Sequence, residues 1–248
     1  MQLQDKRAVI TGAASGLGEA IALGYAAQGA QLWLIDRDAE GLQRVAAACR
    51  QLGTEVGISS ADLATTDQPG QAIEQALAGL GGIDILVNSA GIADQGPCTE
   101  LSVEQWDRML AINLRSIFLC CRQVLPSMIE QRWGRIINIA SQLGIKGSPG
   151  LSHYVAAKAG VIGFSKALAL EVAQHNVLVN VIAPGPLDTP MLADFDPNWK
   201  VSKAAELPLG RFGRAEEVAP TAVLLASEPG GNLYLGQTLG PNSGDVMP

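Results

Sequence analysis

Tyr154 and Lys158 stand four residues apart in the segment HYVAAKAG (153–160), a spacing that places both side chains on one face of a helix. A cation held beside a phenol favours the phenolate and lowers its pKa, which makes a tyrosine a usable general acid/base near neutral pH. The spacing alone arises easily by chance and equally suits a solvated helix face. Its company raises its weight: Ser141 lies thirteen residues before Tyr154, and a glycine-rich turn, TGAASGLG (11–18), follows the first apolar run.

That turn places Gly12, Gly16 and Gly18 where a strand passes into a helix. Glycines there permit a tight turn and bring backbone N–H groups close to a pyrophosphate, and the helix N-terminus adds a favourable dipole. The spacing is G-x-x-x-G-x-G, not the G-x-G-x-x-G of the general dinucleotide fingerprint. Asp36 ends the second apolar run, 18 residues after Gly18. A carboxylate there accepts from adenosine ribose hydroxyls and repels a 2′-phosphate, which favours NAD over NADP. Arg37 could reverse that choice by pairing with the phosphate, and Ser15 in the turn supplies no second cation.

The elements that must position these residues follow from the alternation of short apolar runs and amphipathic stretches. Strands are expected at 7–11, 31–36, 55–59, 83–88, 134–141, 177–184 and 237–240. Helices are expected at 16–28, 38–51, 68–80, 103–130 and 152–174. Strands that are apolar without alternation suit a sheet covered on both faces. The β-α alternation predicts a single domain over 1–248: a Rossmann-type, doubly wound, mostly parallel seven-stranded sheet with helices on both faces. The least regular stretch, 184–206, carries four prolines and reads as a substrate lid, because Met191, Leu192, Phe195 and Trp199 need something to cover.

Composition bounds the rest. Of 248 residues, 48% are hydrophobic and 17% charged, and the net charge of −7 argues against nucleic acid or anionic lipid as partners. No run of about 18 apolar residues offers a membrane span. The first strand begins almost at once, which leaves no room for a signal peptide, and the expected location is cytoplasmic. Cys49, Cys98, Cys120 and Cys121 lack metal-ligand spacing and read as small apolar residues in a reducing compartment. With only His153 and His175 present, no multi-histidine metal site is expected.

Together these motifs resemble the short-chain dehydrogenase/reductase family over essentially the full length. Gly12-x-x-x-Gly16-x-Gly18 matches its cofactor turn, with Ser15 and Leu17 inside it. Asp62-Leu63 matches the pair that meets the adenine, and Asn88-Ser89-Ala90-Gly91 matches an Asn-Asn-Ala-Gly motif with one departure at Ser89. Pro184-Gly185, Leu187 and Thr189 match the segment that holds the nicotinamide carboxamide. Asn113, Ser141, Tyr154 and Lys158 fall at the catalytic positions.

The resemblance implies hydride transfer between nicotinamide C4 and a substrate carbon. Tyr154 would be the proton donor or acceptor, and Ser141 would orient the oxygen. Lys158 would lower the tyrosine pKa and bind the nicotinamide ribose, and Asn113 would hold a water that links Lys158 to solvent. It also implies a homotetramer, packed through the helices at 103–130 and 152–174.

The substrate is left more open. Gln142, Leu151, Pro186, Met191, Phe195 and Trp199 are candidate contacts, together with His153, which on a helix points about 100° away from Tyr154. Their mix of polar and apolar groups suits a small-molecule secondary alcohol or its ketone: a polyol, sugar, cyclic alcohol or hydroxyacyl ester. The leading expectation is therefore an NAD-dependent oxidoreductase of such a compound.

One alternative is an NADPH-dependent 3-oxoacyl-carrier-protein reductase, a group that the chain also resembles. Asp36 argues against NADPH. Arg132 would offer basic surface to an acidic carrier protein, but His175 stands where a second cation would help. A non-catalytic NAD(H)-binding redox sensor is a third reading, opposed by the intact Ser-Tyr-Lys set. The ending, Gly240 to Pro248, departs from the family's Asp-Gly-Gly.

Overall fold

Arg7–Thr11 (β1), Gln31–Asp36 (β2), Val56–Ser60 (β3), Ile85–Asn88 (β4), Gly134–Ile139 (β5), Val177–Ile182 (β6) and Thr238–Leu239 (β7) form one sheet in the order β3-β2-β1-β4-β5-β6-β7. Every pairing is parallel. The structure, a computed structural model, describes residues 1–193 and 195–247.

The absence of alternation in the strands has its reason in two cores. Ala8 and Ile10 of β1, Leu32 and Leu34 of β2, and Ile85 and Val87 of β4 point to one face, covered by Gly16–Ala27 (α1), Ala39–Gln51 (α2) and Ala215–Ala226 (α9). Val9, Ile35 and Leu86 point to the other, covered by Gln68–Leu80 (α3), Ser116–Glu130 (α5) and Ser152–Val172 (α7). Each fully buried large apolar side chain contributes about 1.5–3 kcal/mol, so both faces draw helices onto them. The strand order reverses between β1 and β4, which opens a crevice beyond their carboxyl ends.

Four differences from the sequence reading have physical causes. The helix expected over 103–130 is broken: Val103–Leu110 (α4) and α5 are joined by a π-helical turn at Ala111–Arg115. Apolar periodicity is indifferent to one extra residue in a turn, so it does not report it. The stretch 184–206 is more ordered than a loop. It holds a 3₁₀ turn at Pro190–Leu192 and a helix at Pro197–Glu206 (α8), started by Pro197 and by Asp196, whose carboxylate accepts from Asn198 N at 2.9 Å.

The other two are unexpected helices. A four-residue helix, Leu143–Lys146 (α6), follows Ser141. Helix α9, with Pro220 inside it, lies where no helix is expected, because an internal proline reads as a breaker. Tertiary packing overrides that signal: α9 lies along α1, and Tyr25 donates to Ala222 O at 3.0 Å. Strand ends also move by one to two residues, β5 and β6 stopping at Ile139 and Ile182. No described helix is long and apolar enough to cross a membrane.

Candidate active site

A cleft of about 900 Å³ opens beyond the carboxyl ends of the strands. Its floor at one end is the turn after β1. Gly12 sits at φ +67°, and a Cβ there would lie 2.6 Å from Ala90 Cα; at Gly18 it would lie 2.0 Å from Gly12 O. Only glycine allows the β1 turn, the helix start and the Ser89-Ala90 turn to close on one another. Thr11, buried at the end of β1, accepts from Ser89 N at 3.1 Å and from Ala90 N at 3.3 Å, which binds the two turns together.

Ser15 caps α1 without a side-chain bond, so the first N–H groups of that helix are not taken by a side-chain cap. They suit the pyrophosphate of a nicotinamide dinucleotide, and so does the dipole behind them. Gly16 approaches Thr189, its Cβ position 3.6 Å from Thr189 Cβ, so the cofactor turn meets the segment after β6.

Asp36 and its neighbours Arg37 and Asp38 line the cleft. The Asp36 carboxylate accepts from Ala14 N and from Asp38 N, each at 3.1 Å. Each oxygen thereby spends one lone pair on backbone and keeps another for a ribose hydroxyl. The cleft is lined further by Asp62, Leu63, Ala90 and Gly91, and by Pro184, Gly185, Pro186 and Leu187. The donor set and the steric cradle therefore fit a nicotinamide dinucleotide.

At the centre, Ser141 follows β5, and Tyr154 and Lys158 stand on α7, all three lining the cleft. Lys158 is 4% exposed, and its Nζ donates to Ile139 O at 2.9 Å, which pins it to the end of β5. Burial pushes the Tyr154 phenol above its usual range, and hydrogen bonding with the Ser141 hydroxyl pulls it part of the way back. Burial also pulls Lys158 down from 10.5 to about 8. The sequence reading expects the lysine cation to depress the tyrosine. In the fold, desolvation of both groups prevails, so the phenol is held protonated.

A buried polar chain sets α7 on the sheet. Asn88 Nδ2 donates to Asn138 Oδ1 at 2.8 Å, Asn138 Nδ2 to Ser165 Oγ at 2.9 Å, and Ser165 Oγ to Val161 O at 2.7 Å. Ser165 lies two turns beyond Lys158 on the same helix face, so this chain fixes the register that presents Tyr154 and Lys158. Asn138 and Ser165 were not among the expected site residues. A lone Asn within the apolar run IINIAS was the available signal.

Three expected residues stand elsewhere. Asn88 is 1% exposed and belongs to that chain between β4 and β5, not to the lining. Asn113 lies in the π-helical turn, fully buried; it donates to Ile92 O and Met109 O and accepts from Ile92 N. Its side chain holds the Gly91-Ile92 turn, and its Oδ1 keeps a second lone pair. His153 is fully buried, does not line the cleft, and sets Nε2 2.5 Å from Asp94 Oδ1. The helical turn of 100° from Tyr154 faces it away from substrate.

Leu151, Pro186, Met191, Phe195 and Trp199 line the outer cleft, where the Phe195 and Trp199 rings lie 5.2 Å apart. Gln142 lines it too, but its amide Nε2 is taken by Asp245. Lys146, Lys203 and Glu206 line the mouth and escaped the sequence reading, because charged residues on a short helix and on α8 look like solvated faces.

The depressed Lys158 makes a testable statement about stability. Between about 8 and 10.5 the unfolded chain holds a proton that the folded chain has released, so stability rises with pH in that window. Below it both states hold the proton and the cost of the buried charge is constant. The unfolding free energy of the cofactor-free protein, measured relative to Lys158→Met, should climb by on the order of 3 kcal/mol across the window. A flat difference would show that Lys158 keeps an ordinary pKa.

Comparison with known proteins extends the geometry. A family model described as short chain dehydrogenase matches residues 6–199. A 3-oxoacyl-[acyl-carrier-protein] reductase of Chlamydia trachomatis is 41% identical, with 98% of each chain covered. Among solved structures, a putative short-chain alcohol dehydrogenase from Sinorhizobium meliloti superposes with a TM-score of 0.94 at 33% identity, covering 98% of this chain and 97% of that one. Levodione reductase superposes with a TM-score of 0.94 at 32% identity, covering 98% of each.

Proposed function

The chain belongs to the short-chain dehydrogenase family, and on that premise we propose that it reduces the ketone of a 3-oxoacyl thioester to the secondary alcohol, with NADH as donor. The substrate class is carried by the 41% identity, over 98% of both chains, to a 3-oxoacyl-carrier-protein reductase. The direction follows the reductase activity in that relative's name.

A nicotinamide dinucleotide bound in the cleft would supply the hydride to the carbonyl carbon. Tyr154 gives its hydroxyl proton to the carbonyl oxygen, and Ser141 donates a hydrogen bond to the same oxygen, which polarises it and fixes its place. Lys158 spends one of its three donor positions on Ile139 O, which leaves the others for a cofactor ribose and for return of a proton to Tyr154. The apolar side chains of Met191, Phe195 and Trp199 suit the acyl portion and exclude water.

Asp36 supports NADH rather than NADPH. It also favours the second reading, an NAD-linked dehydrogenase of cyclic or other secondary alcohols, toward which the likeness to levodione reductase points. A further observation bears on the partner. Arg132 and His175 precede β5 and β6, at the end of the sheet opposite the cleft, and Arg132 donates to Gln174 O at 3.1 Å. Neither flanks the chain's own site, so a small-molecule thioester is the substrate proposed, with no carrier-protein docking by this pair within one chain.

Homotetramer assembly belongs to the same reading. Phe118 on α5 and Leu170 on α7 are 44% and 80% exposed, apolar surface of the kind that subunit contacts cover. A concentration-independent monomer in light scattering would overturn it.

The deciding experiment follows NADH and NADPH absorbance with 3-oxoacyl thioesters and cyclic diketones, and NAD reduction with polyols, sugars and cyclic alcohols. Fastest turnover of the thioester with NADH is the expected result. Turnover confined to diketones or alcohols would promote the second reading. No turnover of anything while NADH still binds would leave a redox sensor.

A further inference from the structure

Residues 241–246, in the ending that departs from the family's Asp-Gly-Gly, are tied down by hydrogen bonds. Pro241 O accepts from Gly185 N at 3.1 Å, and Ser243 O accepts from Leu209 N at 3.2 Å. Asn242 Nδ2 donates to Val246 O at 2.7 Å, and its Oδ1 accepts from Gly244 N at 3.0 Å. A Cβ on Gly185 would lie 2.7 Å from Asn242 Cα, so the tail presses directly on the turn after β6. This folding delivers Asp245 to a fixed place between the Ser141 turn and α8.

The Asp245 side chain is 10% exposed and touches both elements. Its Oδ2 accepts from Lys146 Nζ at 2.6 Å and from Gln142 Nε2; its Oδ1 accepts from Lys203 Nζ at 3.2 Å. Glu206 takes Lys203 as well, at 3.1 Å. A carboxylate only accepts, so the Gln142 amide has to turn its NH₂ toward Asp245, and its Oε1 is left buried without a partner. Lys146, Lys203 and Gln142 line the cleft, and Asp245 stands behind them.

Two lysines at the mouth of a cleft ordinarily concentrate anions. Here Asp245 and Glu206 balance them charge for charge, and Asp245, the more buried of the two, holds both ammonium groups by direct contact. We infer that Asp245 is a positioning residue that makes the cleft select ketones that carry no negative charge, by keeping Lys146 and Lys203 engaged. The inference rests on the ketone-reducing reading and narrows it: esters, thioesters and uncharged cyclic ketones are accepted, and free 3-oxo acids are rejected.

Asp245→Asn removes the charge and keeps the size. Turnover of methyl 3-oxobutanoate and of 3-oxobutanoate is compared in the two enzymes. The anion-to-ester ratio of kcat/KM should rise by about tenfold or more in the variant, through KM, and the gain should shrink in high salt. Asp245→Glu should restore the original ratio. Parallel loss on both substrates would mean a merely structural aspartate and overturn the inference. Lys203→Met guards against a poorly folding first variant: it should lower the ratio, and an unchanged ratio counts against the inference.

Binding is read without turnover through tryptophan fluorescence, since Trp199 lines the cleft. 3-Oxobutanoate should bind Asp245→Asn about tenfold or more tighter than the parent. Equal binding, or none by either protein, overturns the inference. If the parent turns over no ketone at all, the ketone-reducing reading fails, while fluorescence still reports the charge selection.

Discussion

Tyr154→Phe is expected to lower kcat by about 10²–10⁴-fold, the range that a positioned general acid contributes. Phenylalanine keeps the ring, so the packing of Tyr154 against Met109 and Leu151 survives and the change is confined to one hydroxyl. Cofactor affinity should stay nearly constant, because the cradle at Gly12, Gly18 and Asp36 lies elsewhere in the cleft. The pH profile supplies a second check. Burial holds the phenol protonated above its usual range, so reduction by the parent enzyme should be flat through neutral pH and fall only on the alkaline side. The part of that fall due to the phenol should be lost in the variant, leaving only the part set by Lys158 near 8. Substantial turnover by Tyr154→Phe, with normal melting, would remove Tyr154 from the proton-transfer role.

Asp36→Asn should move the cofactor preference from NADH toward NADPH by about 30–700-fold in the ratio of kcat/KM values. The size follows from Coulomb energies: a 2′-phosphate a few ångströms from a carboxylate is disfavoured by about 2–4 kcal/mol at an effective dielectric near 20, and 1.4 kcal/mol is a factor of ten. Asn is chosen because it retains an oxygen for one of the two backbone donors, Ala14 N or Asp38 N, that the carboxylate serves. Arg37, exposed at the same edge, is then free to pair with the phosphate, so Arg37→Ala in the Asp36→Asn background should cancel much of the gain. A parent enzyme that prefers NADPH, or a ratio indifferent to Asp36→Asn, would defeat this account of the adenosine end.

The cleft and its stability are joined at α7. The Asn88-Asn138-Ser165 chain, wholly inside the protein, carries no chemistry itself, yet it sets the helix that carries Tyr154 and Lys158. Asn113 has a similar standing, since its amide holds the backbone beside Gly91. Asn88 and Asn113 stand in sequence motifs that resemble a cofactor and a catalytic position, and in the fold both also hold structure together.

The residues alone determined a good deal. Buried strands without alternation required helices on both faces, and the glycines after β1 required a turn closed against another backbone. The four-residue spacing of Tyr154 and Lys158 required one helix face. These are local or periodic consequences of covalent geometry, whereas the strand order that opens the cleft was decided by long-range pairing. Tertiary structure decided what depends on groups distant in sequence. It inserted the π turn at Ala111–Arg115, kept α9 helical through Pro220, and turned His153 inward to Asp94. It also brought Asp245 from the tail to Lys146 and Lys203, across 99 and 42 positions. Desolvation was decided there as well: spacing brings a lysine near a tyrosine, but only the packed interior determines that burial outweighs their mutual field and leaves the phenol protonated.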